Sequence, residues 1–165
     1  MKTRFILFSV MLMLFVNVQN SHAERVRISS LNMEMVLDAP EDGTLQIMYF
    51  GPALSETDYE NIHFSGIKSY SAYPAFGRLT VYEPGFEPAL ADGNMTLELV
   101  VKGVQVEKDK SGATITKVTL KDKVYPFEVK VCFRSYQDVD MIETWTEISS
   151  GEKKPVLLRR FDSGF

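Results

Sequence analysis

From Phe127 to Arg134, apolar and polar side chains alternate without a break. Phe127, Val129, Val131 and Phe133 take turns with Glu128, Lys130, Cys132 and Arg134. A period of two belongs to an antiparallel strand with one face on a core and one in water, and no helix can satisfy it. The pattern recurs along the chain. Met33, Met35 and Leu37 alternate with Glu34, Val36 and Asp38. Asp42-Gly43 then marks a turn, and Leu45, Ile47 and Tyr49 resume up to Gly51-Pro52, which is a hairpin signature. Met95, Leu97, Leu99 and Val101 share a face of a further strand, and Val104 and Val106 lead to the polar turn 108–112. The chain returns through 114–120. Past Gln137-Asp138 come residues 141–148, and past the turn 149–152 come 156–161. Their adjacency reads as a meander of three neighbouring strands. Outside the first residues no segment holds a helical period, so the expected fold is all-β, an antiparallel β-sandwich.

Residues 52–94 break the rhythm. They contain Pro74, Pro84 and Pro88, Gly66, Gly77, Gly85 and Gly93, and the aromatics Tyr59, Phe64, Tyr70, Tyr73, Phe76, Tyr82 and Phe86. Irregular stretches of this length are uncommon in compact domains and often functional. Two readings stand: the aromatics pin a wandering loop to the sandwich, or they form a surface for a carbohydrate or a partner subunit.

The compartment is written at the start. Lys2 and Arg4 precede an apolar run from Phe5 to Val16, and Ser21-His22-Ala23 has the small-x-small form that signal peptidase cuts. The run is too short to span a bilayer, which takes roughly 20 apolar residues, and there is no cysteine at the cut for lipid attachment. Residues 1–23 are therefore expected to be a signal peptide cleaved before Glu24. The remaining 24–165 are expected to be one soluble periplasmic or secreted domain with no membrane attachment. Losing Lys2 and Arg4 takes Lys+Arg from 18 to 16 against 22 Asp+Glu, a charge of −6. Such a surface repels phosphate backbones, so nucleic acid is a poor partner. Asn94-Met95-Thr96 has the form of a glycosylation acceptor, a triplet common by chance.

Catalytic constellations fail for want of parts. After the leader His63 is the sole histidine, which excludes a Ser-His-Asp triad or a multi-histidine metal site within the chain. Cys132, the lone cysteine, cannot form an internal disulfide, and its strand position gives an inert thiol. No phosphate-binding glycine loop is present. Asp138-Val139-Asp140 opens like a calcium loop but lacks the glycine and distal glutamate. No pair of carboxylates stands out for glycoside hydrolysis. Neither a cofactor nor a metal is expected.

Three stretches together resemble a family. Gly43-Thr44-Leu45-Gln46-Ile47-Met48-Tyr49-Phe50-Gly51 is similar to the G-x-L-x-x-x-Y-x-G hairpin of glycoside hydrolase family 36 α-galactosidases. Tyr73-Pro74-Ala75-Phe76-Gly77, then Glu87-Pro88-Ala89-Leu90 and Asp92-Gly93-Asn94, resemble its Y-P-x-x-G, E-P-A-L and D-G-N segment. Tyr125-Pro126 through Asp140-Met141-Ile142-Glu143-Thr144-Trp145-Thr146-Glu147-Ile148 to Pro155-Val156-Leu157-Leu158 look like its closing strands.

The resemblance implies an N-terminal β-supersandwich, which in the family precedes a (β/α)₈ barrel carrying two catalytic aspartates for retaining removal of terminal α-galactose. The expected reading is a front part of an exported enzyme, truncated before that barrel, so neither catalytic residue can be placed on this sequence. α-Galactoside oligosaccharides of the raffinose type would be bound through the missing domain, and a homo-oligomer is possible in the family, where a loop of this domain reaches toward a neighbouring subunit's active site. The matching region is 53–76. Within it Asp58, Tyr73 and Phe76 are the substrate-proximal or subunit-contact candidates, chosen because aromatics stack on sugars and carboxylates bind hydroxyls. The competing reading is a free-standing carbohydrate-binding or structural sandwich.

Overall fold

The computed structural model describes residues 25–62, 71–77 and 83–163; the expected leader, residues 1–23, together with His63, Phe64, Tyr70 and Tyr82, lies outside them. Three antiparallel strands come first among the described residues: β1 (Arg25–Ser29), β2 (Met33–Asp38) and β3 (Gln46–Pro52), in the order β1-β2-β3. The expected hairpin is β2–β3. At its turn Asp42 takes a positive φ of 57°, and Gly43 N donates to Pro40 O at 3.0 Å. A Cβ on Gly43 would sit 2.6 Å from Pro40 Cγ, so this close approach needs glycine.

The strict alternation expected for β2 gives way to burial on both faces. Glu34, Met35, Val36 and Leu37 are all buried. A short helix, α1 (Glu56–Asn61), follows β3 where none was expected. None of its six residues is buried, so it carries no apolar stripe, and periodicity had nothing to register. Ser55 caps it, with Oγ accepting from Asp58 N at 3.1 Å.

The second sheet is a four-stranded meander of β5 (Leu99–Lys108), β6 (Thr114–Asp122), β7 (Phe127–Ser135) and β8 (Ile142–Ser150). The strand begins at Leu99, a turn later than the alternation from Met95 suggested. Asp109 folds the β5–β6 turn, accepting from Ser111 N at 2.8 Å and Ala113 N at 3.2 Å, an arrangement typical of Asp in turns. Among the described residues the sheets are joined at two places. Asp42 N donates to Val101 O, and Val101 N to Gly43 O, both at 2.9 Å. At another end, Asp140 accepts from Asn32 N at 2.5 Å and Asn32 Nδ2 at 3.1 Å.

β9 (Leu157–Phe161) corrects the expectation of a three-strand meander. It pairs antiparallel with β4 (Phe86–Ala89), not with β8. Pro155 and the Gly151–Lys154 turn separate β9 from a tight hairpin with β8, and Gly151 N is already spent on Pro126 O at 2.7 Å. Between the sheets lies one core holding Val26, Ile28 and Leu37 from the first, and Val101, Leu120, Val129 and Phe133 from the second. Phe86 is fully buried at its centre, 5.4 Å from the Phe127 ring and 6.1 Å from the Tyr73 ring. Aromatic contacts of this kind stabilise beyond their buried area.

Candidate functional site

The loop marked by sequence as a possible contact surface begins at Ala53, and two arginines of β1 fix how it leaves the sheet. On an antiparallel strand Arg25 and Arg27 point the same way, here toward α1. Arg27 lies beside Glu34 on neighbouring β2. Its Nε bonds Glu34 Oε1 at 2.5 Å and its Nη2 bonds Oε2 at 3.1 Å, the two-pronged geometry that suits guanidinium and carboxylate. The same group reaches Glu56 Oε1 at 2.5 Å and Leu54 O at 2.9 Å. Its plane lies 4.7 Å from the Tyr59 ring centroid, a cation–π contact. Glu34 is 1% exposed and also accepts from Leu54 N at 3.1 Å. Arg25 serves the other end of the helix, donating to Tyr59 O, Glu60 O and Ile62 O at 3.2, 3.3 and 2.9 Å. These carbonyls form the negative pole of α1, where a cation is favourable.

The bonds to Glu34, then to Glu56, raise the Arg27 guanidinium above its ordinary range. It stays charged throughout the working pH range. Residues 53–62 are thus held to the sheet edge by ion pairs and carbonyl contacts, with no buried apolar residue in the helix.

The three sequence candidates fall in different settings. Asp58 is exposed on α1 and receives a 2.6 Å hydrogen bond from Ser55 Oγ through Oδ2. Phe76 is 38% exposed, and its N–H bonds Phe86 O at 2.9 Å. Tyr73 is 1% exposed, with its hydroxyl donating to Asp162 O at 3.1 Å. Burial pushes that phenol above its usual range. In this chain the Tyr73 ring belongs to the core and pins 71–77 against Phe86 of β4 and Asp162 just past β9, as the packing reading of the aromatic loop anticipated. No contact joins Asp58 to Tyr73 or Phe76 among the described residues.

The model of the glycosyl hydrolase family 36 N-terminal domain matches residues 43–165. The chain belongs to this family. Among curated proteins none matches. Solved structures share the fold. The α-galactosidase AgaA from Geobacillus stearothermophilus is 18% identical with a TM-score of 0.73, over 85% of this chain and 24% of that one. A variant of that enzyme in complex with stachyose is 16% identical with a TM-score of 0.75, at the same coverage. The Lactobacillus brevis α-galactosidase is 14% identical with a TM-score of 0.71, over 88% of this chain and 24% of that one. The match thus spans about a quarter of the relatives' length. Arg25, Arg27 and Glu34 precede the residues matched by the family model.

Two further features bear on chemistry in this family 36 domain. Among the described residues no group of three or more His, Cys, Asp or Glu is placed to hold a metal ion, and no helix is long and apolar enough to cross a membrane. Cys132 is buried on β7 opposite Trp145, and burial, then the nearby Glu147 charge, pushes its thiol up to about 12. A raised folded value means the unfolded chain loses the proton first. The thiol's contribution to stability is therefore complete below about pH 8.5 and is lost as pH rises toward 12. The folded chain should not react with Ellman's reagent at pH 8, and should show one thiol after urea is added; rapid reaction without urea would mean the site opens to solvent.

Proposed function

We propose that residues 24–165 are the N-terminal, non-catalytic sandwich of an exported α-galactosidase-like glycoside hydrolase, with residues 1–23 as its export leader. The observation that carries this is the family match over residues 43–165. Relatives of the same fold are α-galactosidases, and variants of one of them, AgaA, were solved with raffinose and with stachyose, so a terminal α-galactoside is the proposed substrate class of the whole enzyme. The domain's own work is to shape the rim of the active site and the oligomer through residues 53–76. The Arg27–Glu34 clamp supports this role, because a rim element must keep one position to be useful. Asp58 and Phe76, both exposed, are the residues we assign to that contact, and Tyr73 fixes the backbone beneath Phe76.

Retaining hydrolysis needs two carboxylates roughly 5–5.5 Å apart across a bound sugar, one of them protonated. Glu34 and Glu56 are both engaged by Arg27. The chain by itself should therefore release no nitrophenol from p-nitrophenyl α-galactoside above a buffer blank. Turnover that survives repurification and vanishes on changing one Asp or Glu would overturn the non-catalytic reading. Export is checked separately: mass spectrometry of secreted material should find Glu24 as the first residue, and an intact Met1 on membranes would contradict it.

A further inference from the structure

Three turns enclose a cleft that none of the preceding chemistry uses. Leu90 to Asp92 follow β4, Tyr125-Pro126 connect β6 to β7, and Gly151 to Lys154 connect β8 to β9; together they line about 440 Å³. Small-ligand clefts run from roughly 300 to 1,000 Å³. None of its residues belongs to α1 or to the arginine clamp.

The cleft is held in shape before any ligand arrives. Tyr125 OH donates to Asp92 Oδ2 at 2.8 Å, and Asn94 N donates to Asp92 Oδ1 at 2.9 Å. Those bonds, the Asn94 N–H first, hold the Asp92 carboxyl below its usual range. Asp122 Oδ1 accepts from Val124 N at 2.9 Å and Tyr125 N at 2.7 Å, which fixes the turn under the ring. Gly151 N donates to Pro126 O at 2.7 Å. A Cβ on Gly151 would stand 3.1 Å from Pro126 Cβ, so the two turns meet closely because one residue there is glycine.

The lining selects a class of ligand. Asp92 and Glu152 accept hydrogen bonds, and Lys153 and Lys154 donate them; among the described residues neither lysine has an ion-pair partner. Two charges of each sign cancel, so neither a phosphate nor a metal cation is favoured. Leu90, Pro126 and the Tyr125 ring add apolar surface. Paired donors and acceptors around an aromatic and aliphatic floor suit a neutral molecule whose hydroxyls both give and take hydrogen bonds, and whose C–H face is apolar. We infer that this cleft is a binding site for a neutral saccharide, separate from any site formed by residues 53–76. Asp92, already engaged by the Tyr125 hydroxyl and the Asn94 N–H, serves this site as a hydrogen-bond acceptor.

Saturation-transfer NMR on the full chain tests this, because it reads ligand resonances and tolerates self-association of the protein. Raffinose, maltotriose and galactose are the probes. At least one should show a saturable signal, weakened five-fold or more by Asp92→Asn and by the surface pair Lys153→Ala with Lys154→Ala. Lys110→Ala, on the remote β5–β6 turn, should leave it unchanged. No signal with any probe would overturn the inference. So would a signal that the lysine pair leaves untouched, which would place binding elsewhere. Since hydrolysis is not the readout, the result does not depend on the proposed role in an α-galactosidase.

Discussion

The chain made alone should sediment as oligomers, bind a hydrophobic dye and melt without a sharp transition, and Leu157→Lys with Phe161→Lys should shift it to monomer. Both residues are 63% exposed on β9, and strand alternation puts them on one face with Arg159 between. Among the described residues β9 pairs only with β4, and β8 only with β7. Each therefore presents a free edge, and β8 is nine residues long. Free edges next to apolar faces template association with other chains. A lysine at each exposed position adds charge where natural edges carry it, and leaves the inward Leu158 alone. Sedimentation velocity decides the matter. A monodisperse wild-type monomer with a cooperative melt would defeat this reading and favour the free-standing module. Oligomers unaffected by the two lysines would move the sticky surface off β9.

In that lysine background, Arg27→Ala should lower the unfolding free energy by about 2–3 kcal/mol and strip protection from residues 53–62. Removing one partner of a buried ion pair strands the other charge, at a typical cost of roughly 3–5 kcal/mol. The figure here is lower because Arg27 keeps a side-chain exposure of 27%. Glu34 would be left with Leu54 N alone, and α1 with neither its Glu56 bridge nor its contact beneath Tyr59. Arg27→Met combined with Glu34→Leu should recover most of the loss, since an apolar pair of similar volume commonly substitutes for a buried ion pair. Urea titration gives the energies and amide exchange the local opening. A loss below about 1 kcal/mol would place the pair with ordinary surface bridges and remove the clamp from the account.

The strands that could be read from sequence were those with one wet face. β7 follows the alternation that starts at Phe127, and the β2–β3 hairpin follows its Asp-Gly turn. Glu34 was assigned to solvent by the same logic, yet it is buried, because Arg27 and the Leu54 backbone cover it. That cover depends on the β1–β2 register, in which Ser29 faces Glu34, and a five-residue β1 leaves little trace. β4 was hidden by Pro88, which sits where the register shifts against β9, as prolines in sheets tend to. Tyr73 was chosen for what an aromatic ring can do to a sugar. Composition cannot tell an exposed ring from one that fills a core, so the burial of Tyr73 against Phe86 was not legible in the sequence. The clamp itself was invisible, since its members come from three separate stretches.

Pairing β4 with β9 also dictates the order of assembly. The β5–β8 meander joins neighbours in sequence and can zip as soon as it leaves the ribosome. The closing bonds reach much farther: Tyr73 and Asp162 are 89 residues apart, and Asn32 and Asp140 are 108 apart. Contacts at such separations form slowly, because the entropy of closing the loop is spent before any contact repays it. The strand that carries Phe86 therefore waits for its partner until β9 has been synthesised. A nascent chain stalled before Leu157 would hold a finished sheet and an open core, the state in which a chaperone would meet it.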